Sequence, residues 1–99
     1  HIDLIGAYRP DMREVDDQAL LRSSVFVDSY ATTLEHIGEL KIPLSEGVIK
    51  PDHVRADYYQ VGDFKRSTDH EITLFKNGGG AHLDLMTADY IVQQWKAAQ

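Results

Sequence analysis

Ninety-nine residues is the size of one small domain or of part of a larger one, and 42% hydrophobic content is that of a chain with a core rather than a disordered one. The formal charge of −6, with 10 Lys and Arg dispersed among 16 Asp and Glu, argues against a nucleic-acid partner, because phosphate contacts need clustered cations. No apolar run approaches the roughly 20 residues of a membrane-spanning helix, and the lack of cysteine removes disulfide frameworks and thiolate metal sites. The composition suits a cytoplasmic protein with no membrane partner. The chain opens on His1 without a Met, already inside an apolar run, and shows no charged-then-apolar leader. The expectation is a segment of a longer protein.

His1–Ala7 (HIDLIGA) is short and apolar and ends in Gly6-Ala7, as a buried strand entering a turn does. Tyr8–Arg13 reads as loop, with Pro10 and Asp11 as turn formers. Asp16 is placed to cap a helix over Asp17–Ser24, with Leu20 and Leu21 facing inward. Val25–Asp28 (VFVD) is rich in β-formers and gives a second strand. Ala31–Lys41 reads as a helix with Leu34 and Ile37 on one side and Glu35 and Glu39 on another, and Ile42–Gly47, with Pro43 and Gly47, as a loop. Pro51-Asp52 opens a further helix in which Val54, Tyr58 and Val61 recur at spacings of four and three, and Gly62 closes it. Arg66–His70 is polar loop, and Ile72–Phe75 (ITLF) a third strand.

Asn77–Gly80 breaks that strand, and a long helix follows over Ala81–Ala98. Its Ala81, Leu85, Ala88, Val92 and Trp95 form a helical stripe that Met86, Tyr90 and Ile91 widen, a pattern expected of a helix buried on more than one side. Apolar strands alternating with helices imply an α/β fold with a parallel sheet and flanking helices, ending in a long helix. Ligands of such sheets bind beyond the carboxyl ends of the strands. Here those ends are Gly6–Arg9, Asp28–Tyr30 and Lys76–Gly80.

Each of these loops has two readings. Asn77-Gly78-Gly79-Gly80 lets a backbone approach a ligand, or simply makes a tight turn; it lacks the Lys and Ser/Thr of a P-loop and the fuller GxGxxG spacing. Asp28, Ser29 and Tyr30 offer a carboxylate and hydroxyls to a ribose or substrate, or Ser29 caps the next helix, which is the commoner role. Arg9, Asp11, Arg13, Glu14, Asp16 and Asp17 supply carboxylates for acid–base work, or, more commonly, a solvated turn held by Arg–carboxylate pairs. The five histidines form neither HxH nor HExxH, so no metal is expected, and no GxSxG marks a serine nucleophile.

Taken together, HIDLIGAYRPDMREVDD, VFVDSY, TTLEHIGEL and EITLFKNGGGAHLDL resemble the ornithine cyclodeaminase/mu-crystallin family over nearly the whole chain. The resemblance implies that residues 1–99 are the second half of a Rossmann-type NAD(P)-binding domain, with residues 81–99 returning toward a dimerisation and substrate domain. It implies NAD or NADP as cofactor, a homodimer, and a small amino acid or cyclic imine as substrate. It places Ala7, Tyr8 and Arg9 near the nicotinamide, with Asn77 and Gly78 on the other side. Cyclodeaminases carry an Asp where this chain has Tyr8, and a phenol does not replace a carboxylate base at pH 7 without a large shift from a pKa of about 10. Tyr8 keeps the capacity to donate a hydrogen bond or proton, and its catalytic role stays open. The implied activity is therefore cyclic imine (ketimine) reduction or amino-acid dehydrogenation, ahead of ornithine cyclodeamination. A non-catalytic NAD(P)-binding protein and a pure assembly element are the rivals from other classes. The glycine fingerprint and substrate-binding Arg and Lys of the family do not occur in these residues, so this stretch alone is expected to be inactive.

Overall fold

The computed structural model describes residues 1–99. Four parallel strands, β1 (Ile2–Leu4), β2 (Ser23–Val27), β3 (Val54–Ala56) and β4 (Ile72–Lys76), form one sheet in the order β1-β4-β2-β3. Ile2 pairs with Leu74 and Leu4 with Lys76 on one side of β4; Ser23 pairs with Ile72 and Val27 with Lys76 on the other. The α/β reading with parallel pairing holds. Side chains alternate across the sheet, so Leu4, Val25, Val27, Val54 and Leu74 meet Leu20, Leu40 and Ile49 in one core on a single face. Each of these contributes about 1.5–3 kcal/mol by leaving water. The opposite face carries Phe26 and Phe75, against which Phe64 and Tyr58 stack at centroid distances of 5.0 and 5.4 Å respectively.

The helices are α1 (Asp17–Leu21), α2 (Tyr30–Thr33), α3 (Gly38–Ser45) and α4 (Ala81–Ala97). Asp16 caps α1 as its position predicts, accepting the Ala19 N–H at 2.9 Å. Leu20 is buried within α1, but Leu21 faces outward, because the helix ends at Leu21 and β2 already begins at Ser23.

Three expectations from periodicity fail. The helix expected from Pro51 to Gly62 is a 3-10 turn (Pro51–His53), then β3, then a 3-10 segment (Tyr58–Asp63); the spacing of Val54, Tyr58 and Val61 was coincidental. Sheet pairing of Val54 with Val25 overrides it. The single helix over Ala31–Lys41 divides into α2 and α3, and the latter runs through the residues expected to be loop, with Pro43 inside it. The break comes where Gly38 passes under the Pro10 and Met12 carbonyls, an approach that leaves no room for a side chain. Finally, α4 is not buried: Leu85, Met86, Tyr90, Ile91 and Trp95 are all more than half exposed, because no other element of these residues packs over it.

Candidate functional site

The carboxyl ends of all four strands lie along one edge of the sheet, and the loops leaving them are held by carboxylates that accept backbone N–H groups, the Glu14 side chain partly exposed and Asp28, Glu39 and Asp57 buried. At the end of β1, Gly6 N–H donates to Glu14 Oε2 at 3.0 Å, and a side chain at Gly6 would collide with that carboxylate. Glu39 is fully buried and accepts the Glu14 N–H at 3.0 Å and the Val15 N–H at 3.1 Å. Arg9 O accepts the N–H of Met12 at 3.1 Å and of Gly38 at 2.9 Å. The loop so clamped turns Ala7 inward, at 2% exposure, and leaves Tyr8 66% exposed at the edge, with the Arg9 guanidinium 5.5 Å from its ring centroid. Of the loop residues named from sequence, Tyr8 and Arg9 therefore offer side chains, while Ala7 offers only backbone.

The end of β4 is held from both neighbouring strands. Asn77 N–H donates to Leu4 O at 3.0 Å, and Gly78 N–H donates to Asp28 Oδ1 at 2.9 Å. Gly79, at φ 74°, donates its N–H to Asn77 Oδ1 at 2.8 Å and has open space where a side chain would be. The glycine run is thus a tight βα turn whose first two glycine amides are already engaged.

Asp28 is fully buried; besides holding Gly78, its backbone carbonyl accepts Tyr58 N–H at 3.2 Å. It braces two loops through Oδ1 and its carbonyl, while Oδ2 is buried with no hydrogen-bond partner in the chain. Ser29 occupies the cap position of α2 without a side-chain cap hydrogen bond. Its carbonyl instead accepts the Thr32 and Thr33 hydroxyls at 3.2 and 2.7 Å, and the first N–H of α2 goes to Asp57 Oδ2 at 3.3 Å. Asp57 also accepts Tyr59 N–H at 3.0 Å. In the charged loop, Arg13 pairs with Asp17 at 2.8 Å, the bracing role rather than the acid–base one.

The sequence reading gives no site role to Glu39, Asp57 or Tyr58, and marks Lys76 only as the start of the Lys76–Gly80 strand end; all four shape this edge. Asp57 alone left a readable signal, an acid directly before Tyr58-Tyr59 where a turn needs a cap. Burial first, then the carboxylates of Asp28 and Asp3, raises the Tyr58 phenol above its ordinary pKa; burial, then Asp57 and Asp63, does the same for Tyr30. Both stay protonated donors at neutral pH.

Two open cavities meet here. One of about 730 Å³ is bordered by Tyr58, Tyr59, Asn77, His82, Met86 and Thr87; another of about 590 Å³ runs over the aromatic sheet face past Phe26, Phe64 and Phe75. Asn77 and Tyr58 border both. No Lys or Arg lines the larger cavity, and the Gly78 and Gly79 amides are engaged, so it is unsuited to a pyrophosphate. An uncharged aromatic amide fits it better: the Asn77 side chain uses only its oxygen internally, on Gly79. Asp84 also lines this larger cavity, whereas Lys65 and Arg66 line the smaller one.

The model of the ornithine cyclodeaminase/mu-crystallin family matches residues 1–99. The chain is 53% identical over 96 residues to a Delta(1)-pyrroline-2-carboxylate reductase of Paracoccus denitrificans, covering 94% of this chain and 30% of that protein. It superposes on an archaeal alanine dehydrogenase dimer with bound NAD at a TM-score of 0.80 and 31% identity, covering 99% of this chain and 31% of that one. With the Thermococcus litoralis Delta(1)-pyrroline-2-carboxylate reductase in complex with NADH and L-proline it has a TM-score of 0.70 and 34% identity, covering 80% of this chain and 25% of that one. The chain spans about a third of the length of the proteins it matches.

Proposed function

The chain belongs to the ornithine cyclodeaminase/mu-crystallin family, and from that premise we propose that it is the later part of the NAD(P)-binding domain of an enzyme reducing a cyclic imine of the Δ1-pyrroline-2-carboxylate type. The relative at 53% identity supports the substrate class, and the solved relatives holding NAD or NADH support the cofactor. In this reading α4 packs on a substrate and dimerisation domain formed by residues beyond these, which accounts for its exposed Leu85, Tyr90, Ile91 and Trp95. The assembly is a dimer, as in the archaeal dehydrogenase.

The observation that carries reduction over cyclodeamination is the state of the carboxylates. Glu14, Glu39 and Asp57 brace the strand-end loops through backbone N–H groups, and Asp28, which keeps Oδ2 unpaired, is fully buried. The position that juts from the edge is the phenol of Tyr8. Imine reduction needs no carboxylate base at that point. It needs a hydride at the imine carbon, a proton at the nitrogen, and an oriented ring. When bound, the reduced cofactor supplies the hydride. Asn77, Gly78 and the Tyr8–Arg9 loop hold the nicotinamide end between the ends of β4 and β1, and the Tyr8 hydroxyl faces the substrate as a hydrogen-bond donor.

A second reading, oxidative deamination of an α-amino acid, is favoured by the 0.80 superposition on the alanine dehydrogenase. Product analysis of the protein containing this chain separates the possibilities. The expected result is a cyclic amino acid formed from its imine with one NAD(P)H consumed. Conversion of ornithine to proline without net oxidation would overturn the reductase reading. Formation of pyruvate from alanine as the sole activity would replace it with the dehydrogenase.

A further inference from the structure

Lys76 is the last residue of β4, and its side chain is completely buried, in register with Leu4 on one neighbour and Val27 on the other. Its Nζ has no hydrogen-bond partner in the chain. The nearest opposite charge is Glu14 Oε2, 3.7 Å away. That same oxygen accepts the Gly6 N–H at 3.0 Å. One carboxylate oxygen therefore joins the first residues past β1 to the last residue of β4.

A leucine or methionine would fill this position without the desolvation that a buried ammonium suffers, so packing alone does not account for the lysine. Its placement gives the reason. Gly6 precedes Ala7, Tyr8 and Arg9, and Lys76 precedes Asn77 and Gly78. On the reductase reading these are the two loops at the nicotinamide end, and the Asn77 N–H to Leu4 O bond at 3.0 Å is a further tie between the ends of β4 and β1. Glu14 is itself held in place by Glu39, which receives its backbone N–H at 3.0 Å.

Building on the reductase reading, we propose that Lys76 and Glu14 are positioning residues that set the separation of the Tyr8 wall from the Asn77 wall. Neither touches substrate or cofactor. The ion pair draws the Gly6–Arg9 segment onto the sheet edge, so that Tyr8 and Asn77 meet the ring and the imine at a fixed distance.

The test uses the whole protein with Lys76→Met, Glu14→Gln and their combination. Lys76→Met keeps the stem and removes the charge; Glu14→Gln keeps an acceptor for Gly6. Lys76→Met is expected to lower kcat roughly ten- to a hundredfold, the scale of a displacement of about 1 Å. The KM for the imine and the Kd for NADH stay within about threefold, since the groups touching both ligands remain. Glu14→Gln loses less, and the combined variant is no worse than Lys76→Met, because the two act as a unit. Hydrogen exchange of the peptides spanning Gly6–Val15 quickens while that of β2 and β4 does not. If Lys76→Met does not fold, the same readings on Glu14→Gln decide. An unchanged kcat with only a lowered melting temperature, or losses that multiply in the combined variant, overturns the proposal. If the unaltered protein reduces no imine, the reductase reading fails separately, and hydrogen exchange still judges the pair: quickening confined to Gly6–Val15 supports it, and no change refutes it.

Discussion

Asp28 Oδ1 accepts the Gly78 N–H at 2.9 Å, joining residues 50 apart in the chain and fixing the turn after β4 to the end of β2. A side chain at Gly78 would meet Thr32 Oγ1 at 2.8 Å and Asp28 Oδ1 at 3.1 Å. Gly78→Ala must therefore shift the turn or break the Thr32 hydroxyl bond to Ser29 O. The expected destabilisation is about 1–3 kcal/mol by urea denaturation, together with weaker NADH binding by titration.

Glu39 carries the other brace. It is fully buried and receives two backbone N–H groups from the Glu14–Val15 segment. Glu39→Ala strands both donors and is expected to lower stability by about 2–3 kcal/mol, the usual range for buried bonds to a charged acceptor. A loss below about 0.5 kcal/mol in chemical denaturation would mean that water replaces the carboxylate without penalty.

Tyr8 separates the two kinds of effect, since its ring is 66% exposed and makes no hydrogen bond that the fold depends on. Tyr8→Phe is expected to change stability by less than about 0.5 kcal/mol. With one neutral hydrogen bond to substrate removed, kcat/KM for the imine falls about three- to tenfold. Equal kinetics in steady-state assays of the two proteins would remove Tyr8 from the reaction.

Far from the site, Glu71 binds the Ser24 hydroxyl, the Ser67 N–H and, at 2.6 Å, the Arg55 guanidinium. The Ser24 bond first, then the Ser67 and Arg55 contacts, lowers its carboxyl from 4.5 to about 2. A carboxyl more acidic folded than unfolded stabilises the fold at pH values above the unfolded value. That stabilisation is lost as the pH falls from about 4.5 to about 2. Melting temperatures of Glu71→Gln across this window should fall less steeply than those of the unaltered chain, and parallel curves would contradict the assignment.

The strands that were legible in the sequence are those whose apolar residues run long enough to show. Val25–Val27 and Ile72–Phe75 stand out because both lie in the sheet interior, whereas the strand read over His1–Ala7 is the edge strand Ile2–Leu4, with only Leu4 buried. β3 was hidden because Val54-Arg55-Ala56 is too short for alternation to register, and Pro51 and Gly62 imitate the ends of a helix. The break between α2 and α3 is set by carbonyls of the Pro10–Met12 loop, which no local pattern announces. The rule for parallel sheets nominates the strand-end loops from the sequence, yet not their bracing by Glu39, Asp57 and Lys76. Those partners lie tens of residues away in the chain and become neighbours only when the sheet forms.

The most direct measurement is the initial rate of NADH and NADPH oxidation by the protein containing this chain, with Δ1-pyrroline-2-carboxylate as acceptor. The account predicts saturable oxidation that leaves proline as product. Tight binding of the reduced cofactor with no oxidation, by this imine or by any in a panel of cyclic imines and keto acids with ammonia, would contradict it and leave a nucleotide-binding protein without catalysis.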